Sequence, residues 1–195
     1  ASRRAVLQMW HAPYDLGVDT KDQPCNTHAY FKIRDHHLLM TVCCRSNDII
    51  WGAYGANAVH FSILQEYLAD RIGVQVGRLT VLSDSFHAYE GVWEKVFDLP
   101  TEAPCPYERE GLHPYPLDAS EPGWDEDLAR FMQGSWEAPF RTCFFEHVVS
   151  PLHAAYWKHK AGQTRDALYW IEYCLAEDWR MAASQWLQRR LDRKA

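Results

Sequence analysis

Pro24-Cys25, Arg45-Ser46-Asn47-Asp48, a lone Asn57 and His87-Ala88-Tyr89 are the residues of this 195-residue chain whose types and spacing could do chemistry. A thiol becomes a covalent nucleophile once it is a thiolate. An arginine with a neighbouring hydroxyl can hold a phosphate dianion, for which a bidentate guanidinium is better shaped than an ammonium. A carboxamide offers a donor and an acceptor to the edge of a base, and a His-x-Tyr pair can hold a sugar hydroxyl. Together these are the parts needed to attack a pyrimidine nucleotide and to hold its phosphate, base and sugar, so the chain reads as an enzyme.

Composition sets the outer bounds. With 47% hydrophobic and 14% aromatic residues, the chain can bury a sizeable core and is long enough for one domain or one and a half. A formal charge of -6 and the lack of a long basic run argue against nucleic acid as a direct partner. The cluster Arg189, Arg190, Arg193 and Lys194 reads as the solvated end of a helix, where cations favour the dipole. The six cysteines lack CxxC pairs and the spacing of a disulfide framework, which fits reduced, intracellular thiols. No apolar run approaches the ~20 residues of a membrane span, and Ala1-Ser2-Arg3-Arg4 is no secretory leader. Cytoplasm is the expected compartment. His36-His37, and His11 with His28, lack the spacing and cysteine partners of a zinc site, so no metal is expected.

The elements that must position these residues follow from pattern. Arg4 to Trp10 and Leu38 to Cys44 are short apolar runs of strand type. Ala29 to Arg34, followed by Asp35-His36-His37, predicts a hairpin. Asn57 to Ile72 has a helical period, is apolar around much of its circumference and stops at Gly73, which predicts a buried helix. Arg78 to Leu82 is a further strand, delivering Ser83 to Tyr89 at its end. Residues 99–123 hold six of the ten prolines and read as a surface connection. Beyond them the pattern is helical over 124–134, 140–162, 164–176 and 178–194. Gly162-Gln163-Thr164 reads as a helix stop and N-cap. Trp157, Trp170, Trp179 and Trp186 read as core or interface anchors, and Cys43, Cys44, Cys143 and Cys174 as buried apolar thiols.

In this order the motifs resemble the thymidylate synthase family, which includes pyrimidine-nucleotide hydroxymethylases of bacterial viruses. The resemblance runs from Arg3 to Tyr89, under half the chain: Arg3-Arg4, a strand ending near Trp10, Pro24-Cys25, Arg45-Ser46-x-Asp48, Asn57, and Gly73-Val74-Gln75-Val76-Gly77 leading to His87-Ala88-Tyr89. It implies an α+β fold, with a mostly antiparallel or mixed sheet packed by a buried helix and then a helical C-terminal region. The corresponding domains are a catalytic core over 1–98, the Pro-rich connection over 99–123 and helices over 124–195. Cys25 then resembles the nucleophile that adds to C6 of the pyrimidine, an addition needing a cationic neighbour such as Arg45 to favour the thiolate over a free thiol of pKa ~8.5. Arg45 and Ser46 resemble the phosphate site, and Arg3 and Arg4 the pair that crosses a two-fold interface, which implies a homodimer. Asn57 resembles the base reader and favours dUMP over dCMP, since relatives acting on cytosine tend to carry aspartate there. His87 and Tyr89 resemble the binders of the 3'-hydroxyl, and Asp48 the carboxylate for the folate ring.

The implied reaction moves a one-carbon unit from 5,10-methylenetetrahydrofolate, a co-substrate, to C5 of the nucleotide, in host cytoplasm if the chain is viral. The product is dTMP or 5-hydroxymethyl-dUMP. The ending Leu191-Asp192-Arg193-Lys194-Ala195, unlike the small apolar tail of the synthases, tilts the expectation to hydroxymethylation. Other departures are Asn26 where the family commonly has histidine, a loop before Asn57 one residue longer, and no folate-packing aromatic immediately before Asn57. The family's N-terminal half, with its proton-transfer glutamate, a further phosphate arginine and a shielding aromatic, has no counterpart here. Alternatives are a dCMP hydroxymethylase, a non-catalytic nucleotide-binding relative, and a cysteine hydrolase pairing Cys25 with a histidine, for which no motif exists.

Overall fold

A computed structural model describes residues 4–18, 23–97, 105–109, 111–136 and 138–192. Arg3, Arg193, Lys194 and the first part of the Pro-rich stretch lie outside the described residues. The chain divides into two compact units, residues 1–101 and 102–195.

The first unit is built on a hairpin. β1 is Val6–Gln8, followed by α1, Ala12–Asp15, β2, Asn26–Arg34, and β3, His37–Asp48. Arg34 pairs with His37, so only Asp35 (φ 48) and His36 (φ 63) turn the chain. Short turns of this kind need positive φ, which aspartate and histidine tolerate better than bulkier residues do. Along β3, buried Leu38, Met40, Val42 and Cys44 alternate with half-buried Leu39, Thr41 and Cys43, the signature of a strand with one face on a core.

After β3 a wide helical turn over Ile49–Ala56 leads into α2, Asn57–Ile72, and then β4, Gln75–His87. β4 lies parallel to β3, and the sheet order is β1-β2-β3-β4. The sheet is therefore mixed, as a parallel pair joined by a crossover helix requires. α2 stops at Gly73 in the left-handed conformation (φ 77), its N–H donating to the carbonyls of Ala69 and Asp70, a standard glycine stop.

α2 packs on the sheet through the stripe Phe61, Gln65 and Ala69. Phe61 joins Ala29, Met40, Val42 and Cys44 in the core, with Phe31, Leu79 and Val81 packed around them. Burial is confined to that stripe: Val59 and Ile72 remain 48% and 53% exposed. Apolar residues all around the helix do not imply burial all around when only one sheet face is available. Gln65 is polar and buried because its Nε2 donates to the carbonyls of Leu38 (2.7 Å) and Gly77 (3.1 Å), where the β3/β4 register shifts. Glycine is required at 77, since a Cβ there would lie 2.6 Å from the Leu38 oxygen.

All four strands differ in length from the expectation, β2 and β3 being longer, over Asn26–Arg34 and His37–Asp48. β1 is shorter because Met9 and Trp10 both donate their N–H to the Thr27 carbonyl and turn the chain away. β4 is longer, continuing through Ser83, Asp84 and Ser85 because β3 supplies a parallel partner as far as His87. α3, Glu90–Phe97, follows.

The second unit holds α4, Pro106–Arg109, and α5, Trp124–Met132, then a helix over 143–160. That helix opens into a wide turn at Phe145–Val149 before α6, Ser150–Lys160, and is followed by α7, Thr164–Ile171, and α8, Glu177–Asp192. Ala155, Ala167, Ile171 and Leu187 form one core and Val148, Cys174 and Ala176 another. Part of the Pro-rich stretch belongs to the packing, since Leu117 and Ala119 are buried.

Three expectations need correction here. Of the two roles expected of Trp157, Trp170, Trp179 and Trp186, a place in the core is corrected: all four are exposed, Trp157 at 56%, and the core is filled by Ala155, Ala167, Ile171 and Leu187. Thr164 is not a cap, for its hydroxyl bonds the His159 Nδ1 at 3.0 Å, while Gly162 (φ 83) does terminate the preceding helix. Cys143 is exposed, not buried, and the neighbouring Glu121 carboxylate raises its pKa.

A buried carboxylate holds α5 to the next helix. Asp127 Oδ2 accepts from the N–H groups of Arg141 (2.7 Å) and Thr142 (2.8 Å) and from the Thr142 hydroxyl (2.9 Å). Arg130 lies 3.4 Å from Oδ1. Burial alone would raise this carboxyl, but the Thr142 and Arg141 amides, the Thr142 hydroxyl and Arg130 together hold it below the usual carboxylate range. Among the described residues, no helix is long and apolar enough to cross a membrane.

Candidate active site

The site gathers where β2 begins and β3 ends. Cys25 is exposed, one residue before β2, and its carbonyl accepts the Arg45 N–H at 2.9 Å. The guanidinium bends back over the same loop: Nε donates to the Pro24 carbonyl at 3.1 Å and Nη2 to that of Gln23 at 3.5 Å. Trp10 supports it from the side, with its ring 5.3 Å from the guanidinium carbon, within reach of a cation–π attraction. Cys25 and Arg45 are thus brought together by hydrogen bonds along the chain preceding the thiol.

Asn57 opens α2 and is held by two other carboxamides. Asn26 Nδ2 donates to Asn57 Oδ1 at 3.3 Å, and Asn57 Nδ2 donates to Asn47 Oδ1 at 3.0 Å. Asn47 Nδ2 donates onward to the Ser83 hydroxyl at 2.9 Å. At the other end the Cys44 thiol donates to Asn26 Oδ1 at 3.0 Å. Gly52 makes room for this chain of bonds, since a Cβ there would lie 2.2 Å from Asn47 Oδ1 and 3.3 Å from Asn57 Nδ2.

Asp48 caps the wide turn, Oδ1 accepting from the N–H groups of Ile50 (3.0 Å) and Trp51 (2.5 Å). Its Oδ2 is buried and has no hydrogen-bond partner among the described residues. His87 pairs with Asp48 in the β3/β4 register, and Ser46 with Ser85. The His87 ring meets Tyr89 edge-on at 5.3 Å. Ile49, Phe86, His87, Ala88, Glu90 and Trp93 line an adjoining cleft of about 360 Å³. Tyr89 is 61% exposed, and Arg4 is exposed ahead of β1. Among the described residues no group of three or more His, Cys, Asp or Glu side chains converges as a metal site would.

The structure therefore brings Cys25, Arg45 and Asn57 to one end of the sheet, with Asp48 and His87 side by side on neighbouring strands. Sequence reasoning missed Asn47, Cys44, Ser83 and Trp10, and met Asn26 only as a departure. The one available signal was Asn47, inside the quartet from Arg45 to Asp48.

One end of a mixed sheet in an α+β fold thus gathers a thiol, a guanidinium, a carboxamide and a buried carboxylate oxygen without a partner among the described residues. The profile of the family described as thymidylate synthase matches residues 1–108, more than half of the chain, and the chain belongs to that family. It is 43% identical over 203 aligned positions to the deoxyuridylate hydroxymethyltransferase of Pseudomonas phage M6, a match covering 96% of this chain and 58% of that protein. A similar protein of the same description, from Bacillus phage SP01, is 42% identical over 45% of this chain and 23% of its own length. Among solved structures, thermostable thymidylate synthase A from Bacillus subtilis superposes with a TM-score of 0.44 at 24% identity, over 50% of this chain and 34% of its own. The chain thus spans 58% or less of the length of these relatives. The M6 match extends across both units, whereas the SP01 match covers under half of the chain.

Proposed function

We propose that this chain carries the thiol, phosphate and base-reading part of an enzyme that transfers a one-carbon unit to C5 of dUMP and yields 5-hydroxymethyl-dUMP. The observation that carries this reading is the bond from Asn26, the residue after Cys25, to Asn57. It ties the nucleophile's loop to the base reader, so that a pyrimidine held by Asn57 can offer C6 to the thiol. The M6 and SP01 relatives, both described as deoxyuridylate hydroxymethyltransferases, favour hydroxymethylation over methylation.

In this reading Cys25 Sγ adds to C6, breaking the C5=C6 double bond and making C5 nucleophilic. Arg45 and Ser46, with Arg3 and Arg4 from a second copy, hold the phosphate. Asn57 accepts from N3–H and donates to O4, and His87 with Tyr89 holds the 3'-hydroxyl. Bound 5,10-methylenetetrahydrofolate would supply the one-carbon unit, leaving as tetrahydrofolate if water completes the product or as dihydrofolate if it also gives up a hydride. C5 loses its proton as the folate leaves, giving an exocyclic methylene; when water or hydride adds to that carbon, Cys25 departs from C6 as thiolate and the ring double bond is restored. Asp48 fits the folate: a buried carboxylate oxygen without a partner is costly unless a donor arrives, and a pterin ring carries such donors.

The test is a mass-resolved assay with dUMP, dCMP and methylenetetrahydrofolate, following nucleotide and folate together. The expected products are 5-hydroxymethyl-dUMP and tetrahydrofolate. dTMP with dihydrofolate would make it a synthase, hydroxymethyl-dCMP a cytosine enzyme, and bound dUMP without product a non-catalytic relative.

A homodimer is part of the same reading. By register, Val6, Tyr30 and Leu82 share the sheet face opposite α2, and each is about half exposed, Leu82 at 54%. An apolar face of this kind suits a two-fold contact with a second copy. Light scattering should give twice the chain mass, and Leu82→Asp should shift it toward one chain; a monomeric parent protein would remove the shared arginines from the mechanism.

A further inference from the structure

The amide chain behind Asn57 has a direction, and that direction has chemical content. Asn57 Oδ1 has already accepted one hydrogen bond from Asn26 and its Nδ2 has already given one to Asn47. A carboxamide has two acceptor and two donor positions, so one of each remains for a ligand, the acceptor on the Asn26 side and the N–H on the Asn47 side. Uracil presents a donor at N3 and an acceptor at position 4, and cytosine the reverse. A carboxamide free to turn over could satisfy either base; one that is held can satisfy only one.

We infer that Asn26 and Cys44 are positioning residues that fix which way round the Asn57 carboxamide faces, and so make the site select uracil over cytosine. This rests on the nucleotide reading proposed above. Each of the three asparagines could be turned end for end, and the whole chain could run backwards, unless a group at one end breaks the symmetry. Cys44 does so. It is 3% exposed and its thiol lies 3.0 Å from Asn26 Oδ1. Burial first, then the neighbouring Cys43 and Cys25, raise its pKa, which keeps the proton on sulfur; the S–H is then there to donate to Asn26 Oδ1 as the geometry has it, and sulfur's diffuse lone pairs accept only weakly from an amide N–H. Asn26 Oδ1 must then face Cys44, its Nδ2 must face Asn57, and the order passes along to Asn47 and Ser83. The hydroxyl at the far end adapts, since it can accept or donate.

Aspartate at position 26 reverses the order without emptying any position. It can only accept, so Asn57 would turn to donate Nδ2 to it, Asn47 would turn to donate to Asn57 Oδ1, and the Ser83 hydroxyl would donate to Asn47. The donor and acceptor left for the base are then exchanged. Calorimetric titration of the purified chain with dUMP and with dCMP reads this as a ratio of affinities, independent of turnover. The parent protein should prefer dUMP, and Asn26→Asp should reduce that preference by about tenfold or more, because a mismatched polar edge leaves buried groups unpaired. Cys44→Ala, which removes the donor, should also reduce it.

If the parent binds neither nucleotide, the proposed function falls and this inference with it. If the parent binds dUMP but shows no preference, or a folded Asn26→Asp keeps the parent ratio within about twofold, the inference alone is overturned. Should Asn26→Asp lack a cooperative melting transition, Cys44→Ala decides: an affinity ratio equal to the parent's overturns it.

Discussion

Replacing Cys25 by serine is expected to lower turnover of dUMP by roughly a thousandfold or more while dUMP affinity changes little. The Cys25 thiol lies 3.9 Å from the Gln23 carbonyl, and an alcohol in its place would need a base to activate it. A serine hydroxyl at that position stays protonated and is a far poorer nucleophile than a thiolate. The groups proposed for phosphate and base are held by bonds that do not involve the sulfur: Arg45 through the carbonyls of Pro24 and Gln23, and Asn57 through Asn26 and Asn47. Single-turnover mass analysis together with calorimetry separates the two effects. Retained turnover would remove the covalent step; loss of binding would mean that the thiol organises its loop.

The second large effect concerns stability. Asp127→Ala strips the acceptor from two backbone N–H groups and a hydroxyl that are all engaged by one buried oxygen. Leaving such donors unsatisfied inside the protein should cost roughly 3 kcal/mol or more, seen as a lower denaturation midpoint at neutral pH. The pH dependence has a definite sign. A carboxyl held lower in the folded than in the unfolded chain contributes stability that is complete above the unfolded value of ~3.9. That contribution is lost as pH falls through the folded value. The difference between parent and variant should therefore be full near neutrality and shrink only in acid below about pH 4. A constant difference down to pH 2 would show that packing, not the charge, is what Asp127 provides.

Much of the fold was legible because it follows from period and punctuation. The apolar run Leu38–Cys44 announced a strand, though not that only one of its faces is buried; the polar Asp35-His36-His37 announced its turn, and Gly73 the end of α2. The far end of β4 was not legible, since Ser83, Asp84 and Ser85 owe their strand conformation to a partner on β3 and not to their own propensities. Nor was the exposure of the four tryptophans, which depends on Ala155, Ala167, Ile171 and Leu187 filling the core instead. At the site, residue types and order pointed to Cys25, Arg45, Asp48, Asn57 and His87, and the role proposed for each is the one the resemblance implies. What they rest on could not be read. Asn26, Asn47 and Ser83 are joined across separations that no local pattern encodes, and Cys44 looked like one more apolar thiol.

The β2/β3 hairpin and the parallel β3/β4 pair differ in how soon they can form. Closing the turn at Asp35-His36 sacrifices little chain entropy, so β2 and β3 can meet on a timescale of about microseconds. β4 must wait until residues 49–74 have been gathered and α2 has docked, which makes its contacts the long-range, slow ones. A chain emerging from synthesis thus acquires the end of the sheet bearing Cys25, Arg45 and Asp48 before it acquires His87. Until β4 arrives, β3 is an unprotected edge open to intermolecular pairing, so the rate of helix docking sets how long the growing chain is vulnerable to aggregation.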